Sequence, residues 1–217
     1  MKNLIYSLLF IFFVTGCARE ADLVFDNRTS QNLYYTIDDE IQEPLSGHTS
    51  RKHSFKLGKQ YLFNTPEKTV KVTAEGETFV TPGVKPGESS DRYITLDSSY
   101  YKKDYNLIFY PNRAGFKIIN ESTEVITSFV YKKVRNNGED TTLKVFNEGL
   151  QNGEEYWCVF DYNDPPFTEQ DKDFTYRFEI TLQGYLDTVF VLADRLRLER
   201  GQQFIYVHNL PNLLGTD

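Results

Sequence analysis

The sequence predicts an all-β protein built from two tandem antiparallel β-sandwiches of the immunoglobulin-like type. Short stretches of alternating apolar and polar residues, separated by Gly, Pro and Asn turns, recur along the chain. The stretch 23–37 is repeated at 116–130, an offset of 93 residues (116 − 23). A repeat of this length matches one Greek-key sandwich of about 100 residues. We therefore predict domains at 23–112 and 113–217, and we find no amphipathic helix of three turns.

The repeated stretch is predicted to be two strands joined by an asparagine turn. Asn27 tolerates left-handed backbone dihedrals and can hydrogen-bond its own backbone two residues on, as Thr29 can more weakly. Asn120 and Ser122 occupy the same places in the second copy. Both triplets also fit the N-glycosylation acceptor pattern, which is the alternative interpretation.

Two further correspondences extend the repeat. Residues 70–76 resemble residues 178–184, and residues 85–96 resemble residues 199–207. Each half is thus predicted to end with a glycine turn and a strand. Further strand candidates in the first half are 54–56, 60–63 and 70–73.

The join between the halves is predicted near Pro111. Residues 105–110 are expected to form the last strand of the first domain, which Pro111 ends. Residues 111–115 would then be a linker short enough to couple the two domains. A single larger sandwich with strands from both halves is the alternative, because a repeat signal can outlast separate domains.

The start of the chain has the pattern of an export signal. Lys2 gives a positive start, residues 4–13 are almost continuously apolar, and the small residues Thr15 and Gly16 follow. The apolar run is about half the length that a membrane-spanning helix needs. We therefore predict a cleaved signal peptide over residues 1–16.

The end of this segment, Val14-Thr15-Gly16-Cys17, resembles the lipobox of bacterial lipoproteins. The resemblance implies diacylglycerol on the Cys17 sulfur, cleavage before Cys17 and an acylated amino terminus. The chain would then be anchored in the membrane of the cell envelope, with residues 17–22 as a lipidated tether. Ala18 stands where an inner-membrane retention signal has Asp, which favours an outer membrane. An ordinary cleaved signal is the alternative.

Charge and cysteine content exclude other classes. A net charge of −7 without a basic arm argues against nucleic acid as a partner. With Cys17 lipidated, Cys158 would have no disulfide partner, so packing must hold the fold. Cys158 and its neighbour Trp157 lie in a strand-like run and are predicted to be core residues.

Motifs for catalysis or cofactor binding are missing from the sequence. There is no zinc-ligand cluster, phosphate loop or Gly-x-Ser-x-Gly elbow, so we predict no cofactor. The acidic loop with Asp161, Asn163 and Asp164 is a weak calcium candidate, and a solvated loop is the simpler interpretation. An envelope hydrolase or enzyme inhibitor using Asp161, Asp164 or Glu169 is the alternative function.

The tyrosines suggest a binding surface. They are too numerous for all to point inward on alternating strands, and exposed aromatic rings suit protein interfaces and sugar faces. We predict such a surface around Tyr100, Tyr101 and Tyr105, although these rings could instead pack between domains or on outer sheet faces. The favoured function is a non-catalytic envelope module that binds a protein or a glycan.

Overall fold

The computed structural model describes residues 17–60, 65–82, 91–97, 104–135, 140–146, 149–160, 174–185 and 188–209. All regular structure in these ranges is β-strand, which confirms the predicted all-β class. No helix among them is long and apolar enough to cross a membrane. The strands are β1 (Cys17–Asn27), β2 (Leu33–Ile37), β3 (Glu40–Ile41), β4 (Ser50–Gln60), β5 (Glu67–Gly76), β6 (Phe79–Val80), β7 (Arg92–Asp97), β8 (Asp104–Phe109), β9 (Ala114–Asn120), β10 (Ile126–Arg135), β11 (Asp140–Phe146), β12 (Glu155–Phe160), β13 (Phe174–Leu182), β14 (Val189–Leu196) and β15 (Gln203–His208).

The chain forms two compact units. The first holds residues up to Gly76 together with Thr81–Tyr110, and the second holds Glu77–Val80 together with the residues from Pro111 onward. The division after Tyr110 lies two residues before the predicted boundary. Four residues, 110–113, separate β8 from β9, because Ala114 and Gly115, assigned to the linker by the sequence, already belong to β9.

The first unit has two sheets that face each other. One has the order β4-β1-β8. In the other, β3 pairs with β2, β2 with β5, and β5 with β7. Alternation on β1 places Leu23 and Phe25 inward, and both are fully buried. The ring of Phe25 stacks on Tyr35 of β2 with a centroid distance of 4.3 Å, so the core lies between the sheets.

The second unit repeats this arrangement. Its sheets have the orders β12-β9-β15 and β11-β10-β13-β14. Phe116 of β9 stacks on Phe129 of β10 with ring centroids 4.4 Å apart, and Phe178 of β13 lies 4.6 Å from Phe116. This aromatic cluster forms the centre of the second core.

In each unit, the sheet that contains the first strand of that unit has one parallel strand pair. The sandwiches are therefore not purely antiparallel, contrary to the prediction. β8 runs parallel to β1, and β15 runs parallel to β9. The order of strands in the sequence and their alternation do not specify whether two strands pair parallel or antiparallel. That direction depends on how the chain connects the last strand back to the first.

The strand pairing defines which strands of the two units are equivalent. β9, β12 and β15 correspond to β1, β4 and β8, and β10, β13 and β14 correspond to β2, β5 and β7. The predicted match of 85–96 with 199–207 is therefore wrong, because β7 pairs with β5 whereas β15 pairs with β9. Both strands show the same local alternation, and only their pairing partners distinguish them.

The predicted tether over residues 17–22 is also wrong. These residues form the first half of β1, where Arg19 lies opposite Gly58 and Asp22 lies opposite Ser54. Ala21 is fully buried and Asp22 is 3% exposed. The polar residues of this segment resemble a linker in sequence, but Asp22 is neutralised by an ion pair with Lys52 of β4.

Candidate functional site

The asparagine turn of the first unit is a buried structural joint between the two sheets. Asn27 Nδ2 donates to the carbonyl oxygens of Gln31 and Leu45, each at 2.8 Å. Its Oδ1 accepts the backbone N–H of Thr29 at 3.0 Å and the Thr29 hydroxyl at 2.8 Å. The predicted bond from Asn27 to the backbone two residues on is therefore confirmed.

The second unit has the same joint. Asn120 Nδ2 donates to Glu124 O at 2.7 Å and to Leu150 O at 2.8 Å. Its Oδ1 accepts the N–H of Ser122 at 3.0 Å and its hydroxyl at 2.9 Å. Asn27 and Asn120 are both 0% exposed, so neither amide nitrogen can carry a glycan in this fold. The two triplets are structural turns.

The outer faces of the equivalent sheets differ in chemistry. We define the apolar face as the outward-facing residues of β12, β9 and β15, which lie three to a strand in matching register. It consists of Glu155, Trp157, Val159, Gly115, Lys117, Ile119, Gln203, Ile205 and Val207.

Aliphatic and aromatic groups dominate the exposed part of the apolar face. Ile205 is 54% exposed and Val207 is 36% exposed, both on the edge strand β15. Ile119 and Trp157 are half-buried beside them. Exposed aliphatic groups next to a tryptophan are typical of protein-binding surfaces and are costly to leave in water.

The equivalent positions of the first unit form a polar face. It consists of Ser50, Lys52, Ser54, Asp22, Val24, Asp26, Asp104, Asn106 and Ile108. Asp22 accepts a hydrogen bond from Ser54 at 2.6 Å and pairs with Lys52, and Asp26 pairs with Arg28 at 2.7 Å. These charges are largely satisfied by one another, which indicates a solvated surface.

A partly buried lysine lies at the centre of the apolar face. Lys117 Nζ lies 2.9 Å from a carboxylate oxygen of Glu155 and 3.4 Å from one of Glu77, and its side chain is 13% exposed. Burial lowers the pKa of Lys117, but the hydrogen bond to Glu155 and the charge of Glu77 outweigh burial and raise the pKa above its ordinary value. The lysine is therefore charged and held in place.

The segment Glu77–Val80 covers the other end of the apolar face. A Cβ on Gly115 would lie 2.3 Å from Glu77 O, so only glycine permits this close approach. Gln203 Nε2 donates to Glu77 Oε2 at 2.8 Å. Asn112 holds the same segment, with its side chain bonded to Val80 N at 2.9 Å and to Val80 O at 2.7 Å. The uncovered area is thus limited to the part near Trp157, Ile119 and β15.

The structure separates the residues that the sequence singled out. Tyr105 is half-buried, and its hydroxyl accepts the backbone N–H of Asp97 at 2.8 Å, so it joins β8 to β7. Cys17 is the first residue of β1. Tyr100, Tyr101 and the acidic loop with Asp161, Asn163, Asp164 and Glu169 lie outside the described residues.

Cys158 contacts the core of the second unit, as predicted. Burial raises the pKa of its thiol, so the thiolate is disfavoured. Cys158 lies opposite Phe116 of β9, whereas His208 lies opposite Asn120, four residues further along that strand. At about 3.3 Å per residue the two side chains are too far apart to act as a pair.

Trp157 is not a core residue, contrary to the prediction. Tyr156, Cys158 and Phe160 point inward, and alternation places Trp157 on the outer side opposite Lys117. The sequence carried a signal for this face, because Phe204-Ile-Tyr-Val207 is apolar at four successive positions and must therefore present apolar groups on both sides. Among the described residues, we find no group of three or more His, Cys, Asp or Glu side chains that could hold a metal ion.

No protein-family model and no curated protein sequence matches the chain. Solved structures align with it at low similarity. The Bacillus anthracis TIE protein matches with a TM-score of 0.29 and 11% identity, over 87% of this chain and 33% of that one, so the chain spans about a third of its length. A candidate cell adhesion protein from Bacteroides fragilis matches with a TM-score of 0.38 and 9% identity, over 89% and 94%. A fimbrial assembly protein from Parabacteroides distasonis matches with a TM-score of 0.29 and 10% identity, over 89% and 92%.

Proposed function

We propose that this chain is a non-catalytic binding module of the bacterial cell envelope, anchored by lipid at Cys17, whose second sandwich binds a protein partner through the apolar face. The observation that carries the proposal is the contrast between equivalent faces. The first unit presents mainly charged and polar residues, with Ile108 as its exposed aliphatic group, whereas the second presents exposed Ile205 and Val207 beside Trp157.

The chemistry of the apolar face favours a protein over a glycan. Aliphatic side chains lie beside the ring of Trp157, and the central cation already has the two carboxylates of Glu155 and Glu77 as partners. Glycan sites need exposed rings and free hydrogen-bonding groups, whereas protein interfaces combine an aromatic anchor with aliphatic neighbours.

Binding can be tested by replacing residues of the apolar face with their counterparts from the polar face. Ile119→Asp copies Asp26, and Trp157→Ala removes the aromatic anchor. We expect each to weaken capture of a protein from native envelope extract at least about tenfold, or ~1.4 kcal/mol. The exposed Asn106→Ala, at the position equivalent to Ile205, is the matched control and should leave capture unchanged.

Two outcomes would contradict this proposal. Capture that survives both changes in the apolar face, with circular dichroism showing intact folding, would place binding elsewhere. Capture that survives protease treatment of the extract and is competed by glycans would assign the face to sugar.

The anchor has its own test. The wild type is expected to incorporate labelled fatty acid and to partition into detergent, and Cys17→Ser is expected to do neither. Equal labelling of the two proteins would remove the lipid anchor from the proposal.

A further inference from the structure

Strand β15 is apolar on both faces but has a pairing partner on one side. Phe204 and Tyr206 point toward the core, and Ile205 and Val207 point outward. Strands with this composition are usually buried on both faces. Among the described residues, however, β15 is the last strand of its sheet and pairs with β9 alone.

The edge of β15 that faces away from β9, here called the free edge, has main-chain groups that no other strand in the described ranges uses. Gly115 N donates to Gln202 O and Glu121 N donates to His208 O, each at 2.8 Å, so the even-numbered residues of this segment face β9. Because N–H and C=O groups alternate sides along a strand, those of Gln203, Ile205 and Val207 point to the free edge.

The equivalent strand of the first unit is protected from such pairing. On β8 the outward positions that match Gln203 and Ile205 hold Asp104, which is 53% exposed, and Asn106, and the position that matches Val207 holds Ile108. Charged and polar residues on an edge strand oppose pairing with another sheet. Between Gln203 and His208, β15 has no Asp, Glu, Lys or Arg.

A second difference between the units is a hydrogen bond that links the edge strands of the two sheets in the first unit. In the first unit the hydroxyl of Tyr105 bonds the N–H of Asp97 and so links the edge strands β8 and β7. Phe204 occupies the position of Tyr105 and has no hydroxyl for such a link. The inward side chains of β14 and β15, Phe190, Leu192, Phe204 and Tyr206, are left partly buried.

We propose that the free edge of β15 pairs with β15 of a second copy of this chain, antiparallel about a two-fold axis at Ile205. Ile205 would then lie beside its symmetry mate, and Val207 beside Gln203 of the other copy. This arrangement brings no like charges together. It joins two three-stranded sheets into one of six strands.

The paired area is small, since each strand has six residues. Interfaces well below the standard size are weak, so we expect dimers to form over about 10–500 µM in solution. Confinement of lipid-anchored chains to one membrane would raise their effective concentration. The contact is separate from the binding proposed above, because it uses the edge of β15 and requires no other molecule.

The test is sedimentation equilibrium of the chain from Cys17 onward carrying Cys17→Ser, which contains every strand of both units. We expect a concentration-dependent dimer. Ile205→Lys, which places like charges at the two-fold axis, should weaken dimerisation at least about tenfold. Asn106→Lys, the matched change on β8, should leave it unaltered.

A second variant tests the main-chain pairing. Ile205→Pro removes an N–H that faces the free edge and is compatible with an edge strand, so it should also abolish the dimer while circular dichroism and the thermal transition stay near those of the wild type. A wild type that is monomeric over the whole range would overturn the proposal. Dimerisation that persists in the folded Ile205→Pro variant would overturn it as well. Sedimentation equilibrium uses the purified chain alone, so its outcome is independent of the capture of a protein partner.

Discussion

The two units of this protein share one frame but present different surfaces. Both have the buried asparagine turn, the parallel pairing of first and last strands, and an aromatic core between the sheets. The outer face of β4-β1-β8 carries Asp22, Asp26 and Lys52 in ion pairs, whereas the equivalent face of β12-β9-β15 carries Ile119, Trp157 and Ile205. Residues that make the fold are thus shared, and residues on the outer faces have diverged.

The largest expected effect tests the shared frame. Asn120→Ala would leave the carbonyls of Glu124 and Leu150 and the N–H of Ser122 without their partner, at a cost of about 3 kcal/mol. Asn27→Ala should cost a similar amount in the first unit. The only tryptophan of the chain, Trp157, is in the second unit, so its fluorescence in urea reports Asn120→Ala.

The unfolding of the Asn27→Ala variant is measured by far-ultraviolet circular dichroism. The exposed Asn106→Ala is the control and should stay within about 0.5 kcal/mol of the wild type. If either buried asparagine could be replaced at a cost below about 1 kcal/mol, the two turns would have the same geometry but would not stabilise their units equally.

The next effect tests the segment that the second unit takes from the first half of the sequence. Glu77→Ala removes a 3% exposed carboxylate that contacts Lys117 and Gln203, and we expect it to cost the second unit about 2 kcal/mol. Trp157 fluorescence measures this loss. Glu67→Ala, an exposed position of β5, should leave that transition unchanged. An unchanged transition with Glu77→Ala would mean that the segment adds no stability there.

A smaller effect tests the link between the edge strands. Tyr105→Phe leaves the N–H of Asp97 without its acceptor and should cost about 1 kcal/mol, measured by thermal unfolding. The exposed Tyr110→Phe should have no effect. If Tyr105→Phe were neutral, the link between β8 and β7 would add no stability to the first unit. The absence of a hydroxyl on Phe204 would then not make the second unit less stable at this edge.

The smallest effect is a pH dependence that arises from His53 in the first unit. Burial, and then the charge of Arg51, lowers the pKa of His53 below 6.5. As the pH falls through about 6.5 the unfolded chain takes up a proton that the folded chain does not, so the free energy of unfolding decreases until the folded pKa is passed.

Cys158 occupies the equivalent position in the second unit and does not share this dependence. His53→Leu should flatten the stability of the protein between about pH 7.5 and 5, measured by urea unfolding at each pH. The exposed Asn106→Ala changes no titrating group and should retain the slope of the wild type. An unaltered slope in His53→Leu would assign the pH dependence to other groups.

The sequence was sufficient for the features that depend on neighbouring residues. Alternation located β1, β2 and β8, and the Asn27 and Asn120 turns were identified because their hydrogen bonds reach only two residues along the chain. The same locality explains the errors. Residues 17–22 resemble a tether in sequence because the partner of Asp22, Lys52, is thirty residues away.

The sequence by itself determined an all-β chain with an internal repeat and the joint that each copy needs, because alternation and turn chemistry are local properties. Only the tertiary structure decided which strands are edges, which side of β12 Trp157 occupies, and that Glu77–Val80 belongs to the second unit. These features depend on the pairing of residues distant in the sequence. Since a strand shows its alternation in the same way at an edge or a centre, the apolar face is defined only by the side-by-side pairing of β9, β12 and β15.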